Sequence, residues 1–295
     1  MDLSELLEEY LLELSIKGYS KTTIKGNKSN LTRFTEYLKT INVIVLLELK
    51  TIHIKQYISH MQSQGKKNSY INTSLKNIRS MLNYAVQEEY ISKDISSKVK
   101  LLKEEQTIIE TFNEQELKLM LDFYKHKDFL SSRNRLIVHL LADTGIRAHE
   151  LTNISLKDIQ DGSFLIHGKG NKQRLLPISP ILQKELIKYL RYRNARKNIK
   201  NDYLLVSYYG KQLTVQTIEE VVKAMKHLVR NNIRVSPHTF RHTAAQMLLK
   251  QGIDTYVISK ILGHTNINIT KIYLNSLDSL EVAKLSISPI SLLSR

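Results

Sequence analysis

The sequence predicts a mainly α-helical protein with one small β-sheet, arranged as an N-terminal helical bundle followed by an α+β domain. Three features carry that prediction. Apolar residues recur at helical spacing through the first hundred positions. The pattern then lapses, and beyond it a buried helical run leads into short alternating segments punctuated by an Asp-Gly turn. The expected organisation is a bundle over 1–100, a linker over 101–110 and a second domain over 111–295. With 295 residues, 42% of them hydrophobic, the chain is long enough to build both cores.

The elements follow in order. Leu3, Leu6, Leu7, Tyr10, Leu11 and Leu14 mark a first helix that Gly18 stops. Ser20 caps the next, which runs towards Leu38. Thr51 is placed to cap a third helix, with Ile54, Tyr57, Ile58 and Met61 on one stripe and Gly65 at its end. Ile71, Leu75, Ile78, Leu82 and Ala85 define a fourth, completing a small bundle. Past the linker, Thr111 and Glu114 stand in capping-box spacing. Leu136–Leu141 belong to a buried helix ending at Gly145. Strands are expected over Ile154–Ile159 and Ser163–His167, joined by Asp161-Gly162, and over Arg174–Ile178 after a second tight turn at 168–172. Helices resume at Ser179, at Ser236-Pro237 with proline in the first turn, and at Asp254, the last of these ending near Gly263. A final helix carries Tyr273.

Composition narrows the function. The net charge is +16, which favours a polyanionic partner because Lys and Arg displace counterions condensed on phosphates. Residues 1–16 hold five acids and no base, whereas 163–200 hold ten bases and one acid, Glu185. A solvated helix face mixes signs, so the second stretch is expected to face phosphate. In the bundle, Lys21, Lys25, Lys28, Lys66, Lys67 and Lys76 either track a nucleic-acid backbone or merely solvate the helices. There is no cysteine, hence no disulfide and no thiolate metal site. No apolar run is long enough for a transmembrane helix, and the acidic N-terminus is unlike a secretory signal. The expected location is the cytoplasm, at the nucleoid.

Breaking a phosphodiester without a metal requires fixed positive charge at the non-bridging oxygens, an in-line nucleophile and a proton for the leaving oxygen. Guanidinium groups answer the first need with a planar fork of donors. Arg147 follows a helix-ending glycine in Thr144-Gly145-Ile146-Arg147, on a loop before Glu150-Leu151. His238 and Arg241 lie three apart in the first turns of a helix, whose N-terminus itself attracts phosphate. Leu262-Gly263-His264 ends the next helix, and Tyr273 follows nine residues later. His238 and His242, four apart, could share a metal, but no third ligand is suitably spaced, and no metal is expected.

These boxes, together with the turn Gly168-Lys169-Gly170-Asn171-Lys172-Gln173-Arg174, resemble the tyrosine recombinase (phage integrase) family, of the Xer-like or transposon-resolvase-like kind. The resemblance spans 111–285, and the bundle fits the family's core-binding domain by length and helicity alone. It rests on five boxes in family order, with Phe240 standing where an aliphatic residue is more usual. It implies that Tyr273 attacks the phosphate to give a 3′-phosphotyrosyl link. Arg147 and Arg241 then hold the non-bridging oxygens, Lys169 protonates the leaving oxygen, His238 is the general acid/base, His264 bonds the phosphate and Glu150 supports the site. Lys66, Lys67, Lys172 and Arg174 are the expected DNA contacts. No cofactor is expected, since the covalent link stores the bond energy. The implied partner is duplex DNA with paired recombination sites, gripped by a tetramer that exchanges its C-terminal tails. The apolar Ile287, Ile290, Leu292 and Leu293 suit that exchange; the plainer reading folds them onto their own domain.

Each residue alone has a bland reading: Arg147 as a salt-bridge arginine, His238 or His264 as a helix cap, Tyr273 as core between Ile272 and Leu274. Placing all of them in family order by unrelated structural causes is what the joint pattern argues against. Two functional alternatives stay open: a type IB topoisomerase relaxing DNA as a monomer, and a DNA-binding protein without catalysis. The biological task is chromosome, plasmid or cointegrate resolution, or element integration.

Overall fold

The structure, a computed structural model, describes residues 1–104, 110–168 and 173–263. The chain divides into two compact units, Met1–Gln106 and Thr107–Arg295. The described residues are mainly helical with a single three-stranded sheet.

The first unit contains α1 (Leu3–Ile16), α2 (Lys21–Thr40), α3 (Thr51–Ser63) and α4 (Asn68–Gln87). Asp2 caps α1 in a box with Glu5, and Ser20 caps α2 by accepting from the Thr23 amide. Leu6, Leu31, Phe34, Leu38, Ile54, Ile71, Leu75 and Leu82 fill the core with no exposed surface. One expectation is corrected here. Thr51 is the first residue of α3 rather than its cap, because its hydroxyl is drawn into a tertiary bond to the Ile95 carbonyl at 2.9 Å. Residues 101–104, at the start of the expected linker, are bonded back to the first unit. The buried Asn72 side chain donates to the Leu102 carbonyl (2.9 Å) and to Glu104 (2.7 Å) and accepts from the Leu102 amide (2.8 Å), tying this extended segment to α4.

The second unit contains α5 (Glu114–Phe123), α6 (Phe129–Thr144), α7 (Ala148–Thr152), β1 (Ile159–Gln160), β2 (Ser163–His167), β3 (Gln173–Pro177), α8 (Pro180–Asn194), α9 (Val215–Lys223), α10 (Pro237–Lys250) and α11 (Thr255–Leu262). Helix α6 is the hub, packing against α5, α8, α9 and α10. The sheet is antiparallel in the order β1-β2-β3, with Phe164 opposite Leu176 and Ile166 opposite Arg174. Phe164, Ile166 and Leu176 are buried on its inner face. A separate small cluster of Ala245, Leu249, Ile258 and Leu262 joins α10 to α11.

Sequence and structure part company at two further points. The cap of α5 is Asn113, boxed with Glu116, not Thr111 with Glu114. Both pairs have the spacing, but Thr111 faces Gln246 instead, within hydrogen-bond reach. The strand expected over Ile154–Ile159 shrinks to Ile159–Gln160. Ser155 and Asp158 form a capping box of their own, Asp158 accepting from the Ser155 amide at 2.8 Å, and this turns Leu156–Asp158 into a 3-10 helix. Among the described residues no helix is long and apolar enough to cross a membrane.

Candidate active site

The site begins where α6 must stop. Gly145 takes a left-handed conformation (φ 58°), and a Cβ there would meet Leu262 Cδ2 at 2.8 Å. Only glycine therefore allows α6 to end against α11. The chain turns into Ile146, anchored in the core, and presents Arg147 at the start of α7. Three residues on, Glu150 is buried at 6% exposure. Helix α10 opens with Ser236 as cap and Pro237 in its first turn, leaving His238 exposed and pointing Arg241 inward at 4% exposure. Phe240 seats the helix by an edge-on contact with Phe112, centroids 4.9 Å apart.

Arginines from three elements converge on the last carbonyls of α11. Arg147 donates to the carbonyls of Leu262 (3.4 Å) and Gly263 (3.0 Å). Arg241 donates to those of Gly145 (2.8 Å) and Leu262 (2.6 Å). Arg174, from β3, donates through Nε to that of Ile261 (3.0 Å). A helix C-terminus carries unsatisfied carbonyls and negative potential, which guanidinium groups answer on both counts. Glu150 completes the lattice. Its Oε1 accepts from Arg147 Nη1 at 2.9 Å and Arg174 Nη1 at 3.0 Å, while its Oε2 accepts from Arg174 Nη2 at 2.8 Å and the Arg147 amide at 3.1 Å. Burial by itself would raise the Glu150 carboxyl. The bonds and charge of Arg174, then those of Arg147, overcome that and hold it below the usual carboxylate range. On α10, His242 is pushed down to about 4, first by burial and then by the charges of His238 and Arg241.

The structure thus brings Arg147, Glu150 and Arg241 together, with His238 exposed in the first turn of the same helix as Arg241. Lys169, Lys172, His264 and Tyr273 lie outside the described residues, as does the C-terminal tail. Arg174 is set differently from its expected place on the surface. Its side chain is 14% exposed and engaged on Glu150 and α11. The basic stretch 163–200 is likewise not one phosphate-facing surface. Arg193 is buried on the carbonyls of Asn201 and Tyr203, and Glu185 is buried with Arg135 and His126. Lys66 and Lys67 are exposed at the start of α4, and Lys28 pairs with Glu8 at 3.1 Å. Lys66 borders a cleft that sequence reasoning missed, lined also by Arg33, Tyr37, His60 and Tyr70, with Arg33 donating to the Tyr70 hydroxyl at 2.7 Å. Those residues come from separate helices, α2, α3 and α4, so no local pattern exposes the cleft. Among the described residues no group of three or more His, Asp or Glu is placed to hold a metal ion.

The chain thus joins a helical bundle to a mixed domain in which two arginines meet at a helix end, and comparison with known proteins supplies the family. Residues 110–279 match the phage integrase family, and residues 2–101 match the phage integrase SAM-like domain. The chain is 29% identical to tyrosine recombinase XerC of Staphylococcus carnosus over 92% of both chains. It is 28% identical to tyrosine recombinase XerD of Oceanobacillus iheyensis, over 90% of this chain and 92% of that one. Its fold resembles that of XerH site-specific recombinase in a post-cleavage complex with difH substrate (TM-score 0.75, 21% identity, 89% of this chain and 78% of that one). It also resembles a lambda integrase dimer bound to a COC′ core site (TM-score 0.75, 16% identity, 94% and 78%). The chain belongs to the phage integrase family, the tyrosine recombinases, enzymes of site-specific recombination that cleave and rejoin DNA strands.

Proposed function

We propose that this recombinase acts on paired sites in duplex DNA, with Tyr273 as nucleophile and Arg147 and Arg241 as the phosphate clamp. The observation that carries the clamp is that both guanidinium groups reach one oxygen, the Leu262 carbonyl, at 3.4 and 2.6 Å. Two arginines focused on one point from different helices are placed to share the non-bridging oxygens of one phosphate. Tyr273 attacks the phosphorus, the 3′-phosphotyrosyl bond forms and the 5′-oxygen leaves with a proton from Lys169. His238 moves the tyrosine's proton, and His264 adds a hydrogen bond to the phosphate. Attack by the freed 5′-hydroxyl of another strand reverses each bond change, so no ATP, cofactor or metal is needed. Lys66, Lys67 and Lys172 contact the backbone of the same duplex. Four protomers assemble on the paired sites and exchange C-terminal tails through Ile287, Ile290, Leu292 and Leu293. The task is resolution of chromosome or plasmid dimers, resolution of transposon cointegrates, or element integration, carried out in the cytoplasm at the nucleoid.

The test is covalent capture from a nicked, sequence-randomised duplex pool, comparing wild type with Tyr273→Phe. An adduct in wild type alone supports the reading. An adduct that survives in the Phe variant names the wrong nucleophile, and none from either, with DNA binding intact, returns the silent binding protein.

A further inference from the structure

We infer that Arg174 is a positioning residue: it binds no DNA phosphate but locks Glu150 to the end of α11 and, through Glu150, sets both the backbone and the guanidinium of Arg147. The inference rests on the reading of Arg147 as a phosphate ligand. The register of the sheet places Arg174 directly opposite the buried Ile166 and on the same face as Leu176, the inner one. Its fork meets both Glu150 oxygens, at 3.0 and 2.8 Å, and its third nitrogen, Nε, bonds the Ile261 carbonyl at 3.0 Å. A lysine has one nitrogen and cannot make this three-point contact.

Glu150 in turn has four donors on its two oxygens, two from Arg174 and two from Arg147, which fills the acceptor sites of a carboxylate. With every site taken, the carboxylate has a single orientation, and Arg147 inherits it. The end of α11 lies against the same guanidinium. Gly263 is left-handed (φ 67°), and a Cβ there would stand 2.9 Å from Arg174 Nη1 and 3.1 Å from its Cζ. Arg174 therefore links its own strand to both the carboxylate and the helix end.

The experiment uses the full chain with Arg174→Lys and Arg174→Met. Binding is measured against salt on a duplex of arbitrary sequence, and single-turnover cleavage on nicked duplex recovered by covalent capture with wild type. Positioning predicts an unchanged salt slope for Arg174→Met, whereas a lost phosphate contact lowers it by about one. It also predicts that Arg174→Lys binds DNA as wild type does yet cleaves about 100-fold more slowly at saturating DNA, since a small misplacement of a catalytic group has that cost. A lysine that restores cleavage overturns the inference, as does a lowered slope. Midpoints of thermal unfolding for Arg174→Met, Glu150→Gln and the pair give a third reading. Action through Glu150 makes the double variant no worse than the worse single one, whereas additive shifts refute it. Should Arg174→Met fail to fold, the lysine variant alone decides through its split between binding and cleavage. A wild type that captures no DNA removes the recombinase reading of the site, while the salt slope and the unfolding cycle still judge Arg174.

Discussion

A single methyl group at Gly145 tests whether the junction between α6, α10 and α11 is as tight as its geometry implies. Gly145→Ala carries two penalties. The left-handed backbone at φ 58° is unfavourable for any residue with a Cβ, costing about 1–2 kcal/mol. The added carbon also stands 2.8 Å from Leu262 Cδ2 and 3.3 Å from Ala244 Cβ, an overpacking of about 1–3 kcal/mol. Gly252, at φ 80° with nothing within 4 Å, isolates the first term in the same unit. Gly145→Ala should therefore destabilise by about 1–3 kcal/mol more than Gly252→Ala, the difference being the overlap.

The strain has an obvious outlet. Helix α11 is held to α10 through the small cluster of Ala245, Leu249, Ile258 and Leu262, so Leu262 gives way before the hub α6 does. Its carbonyl is the acceptor shared by Arg147 and Arg241, so cleavage should fall with stability. Urea titration followed by hydrogen exchange in peptides from α6, α10 and α11 reads this unit separately from the bundle. If the two alanine variants agree within about 0.5 kcal/mol, the junction relaxes freely and the packing argument is wrong.

Three further outcomes follow from named contacts. Glu150→Gln removes the only carboxylate of the lattice and should cost about 3 kcal/mol in urea unfolding, because two guanidiniums lose their partner; a change under about 1 kcal/mol would show that the lattice is loose. In wild type that contribution is present above the ordinary carboxylate value of 4.5 and is lost as pH falls through the lower folded value. His242 titrates at about 4 when folded against 6.5 for a free histidine, so the unfolded chain binds the extra proton between these values. Stability of the second unit should accordingly be complete above pH 6.5 and decline towards pH 4, and His242→Gln should flatten that limb; an unaltered slope assigns it to other groups. Asn72→Leu deletes the three bonds that hold Leu102 and Glu104 on α4, and tryptic cleavage at Lys100 and Lys103 should accelerate; an unchanged rate would mean that 101–104 is anchored elsewhere.

What the sequence made legible was local. Ser20, Ser179, Ser236 and Asp254 cap the helices assigned to them, and Gly145 ends α6. Each signal acts within four residues, so the chain alone suffices to read it. Misreadings arose where two local signals competed. Thr111 and Asn113 both had a carboxylate three residues on, and tertiary contacts chose between them. Ser155 and Asp158 outbid an alternating pattern that suggested a strand.

Arg174 shows the harder limit. Its place in a basic stretch pointed outward, although strand parity with Leu176 pointed inward, and the adjacent Leu175, 63% exposed, blurred the alternation. Nor could any spacing announce that guanidiniums from α7, β3 and α10 would meet the last carbonyls of a helix far along the chain. That meeting is a property of packing.

On the proposed reading of Arg147 and Arg241 as phosphate ligands, the arrangement also explains how such arginines are kept in place before phosphate arrives. Three guanidinium groups face one carboxylate and one helix end, so the site carries surplus positive charge. Left to solvent, such side chains would spread apart by mutual repulsion and rotamer freedom, and binding would have to reverse both. Here the α11 carbonyls and Glu150 hold them at fixed points, so the donors are already aimed when charge develops on a transferred phosphoryl group. Because Arg147 and Arg241 share the Leu262 carbonyl, they are not independent ligands. A shift of that helix end moves both guanidiniums together. The clamp is therefore assembled or dismantled as a unit, and substitutions in α11 that never touch DNA should mimic the loss of both arginines rather than of one.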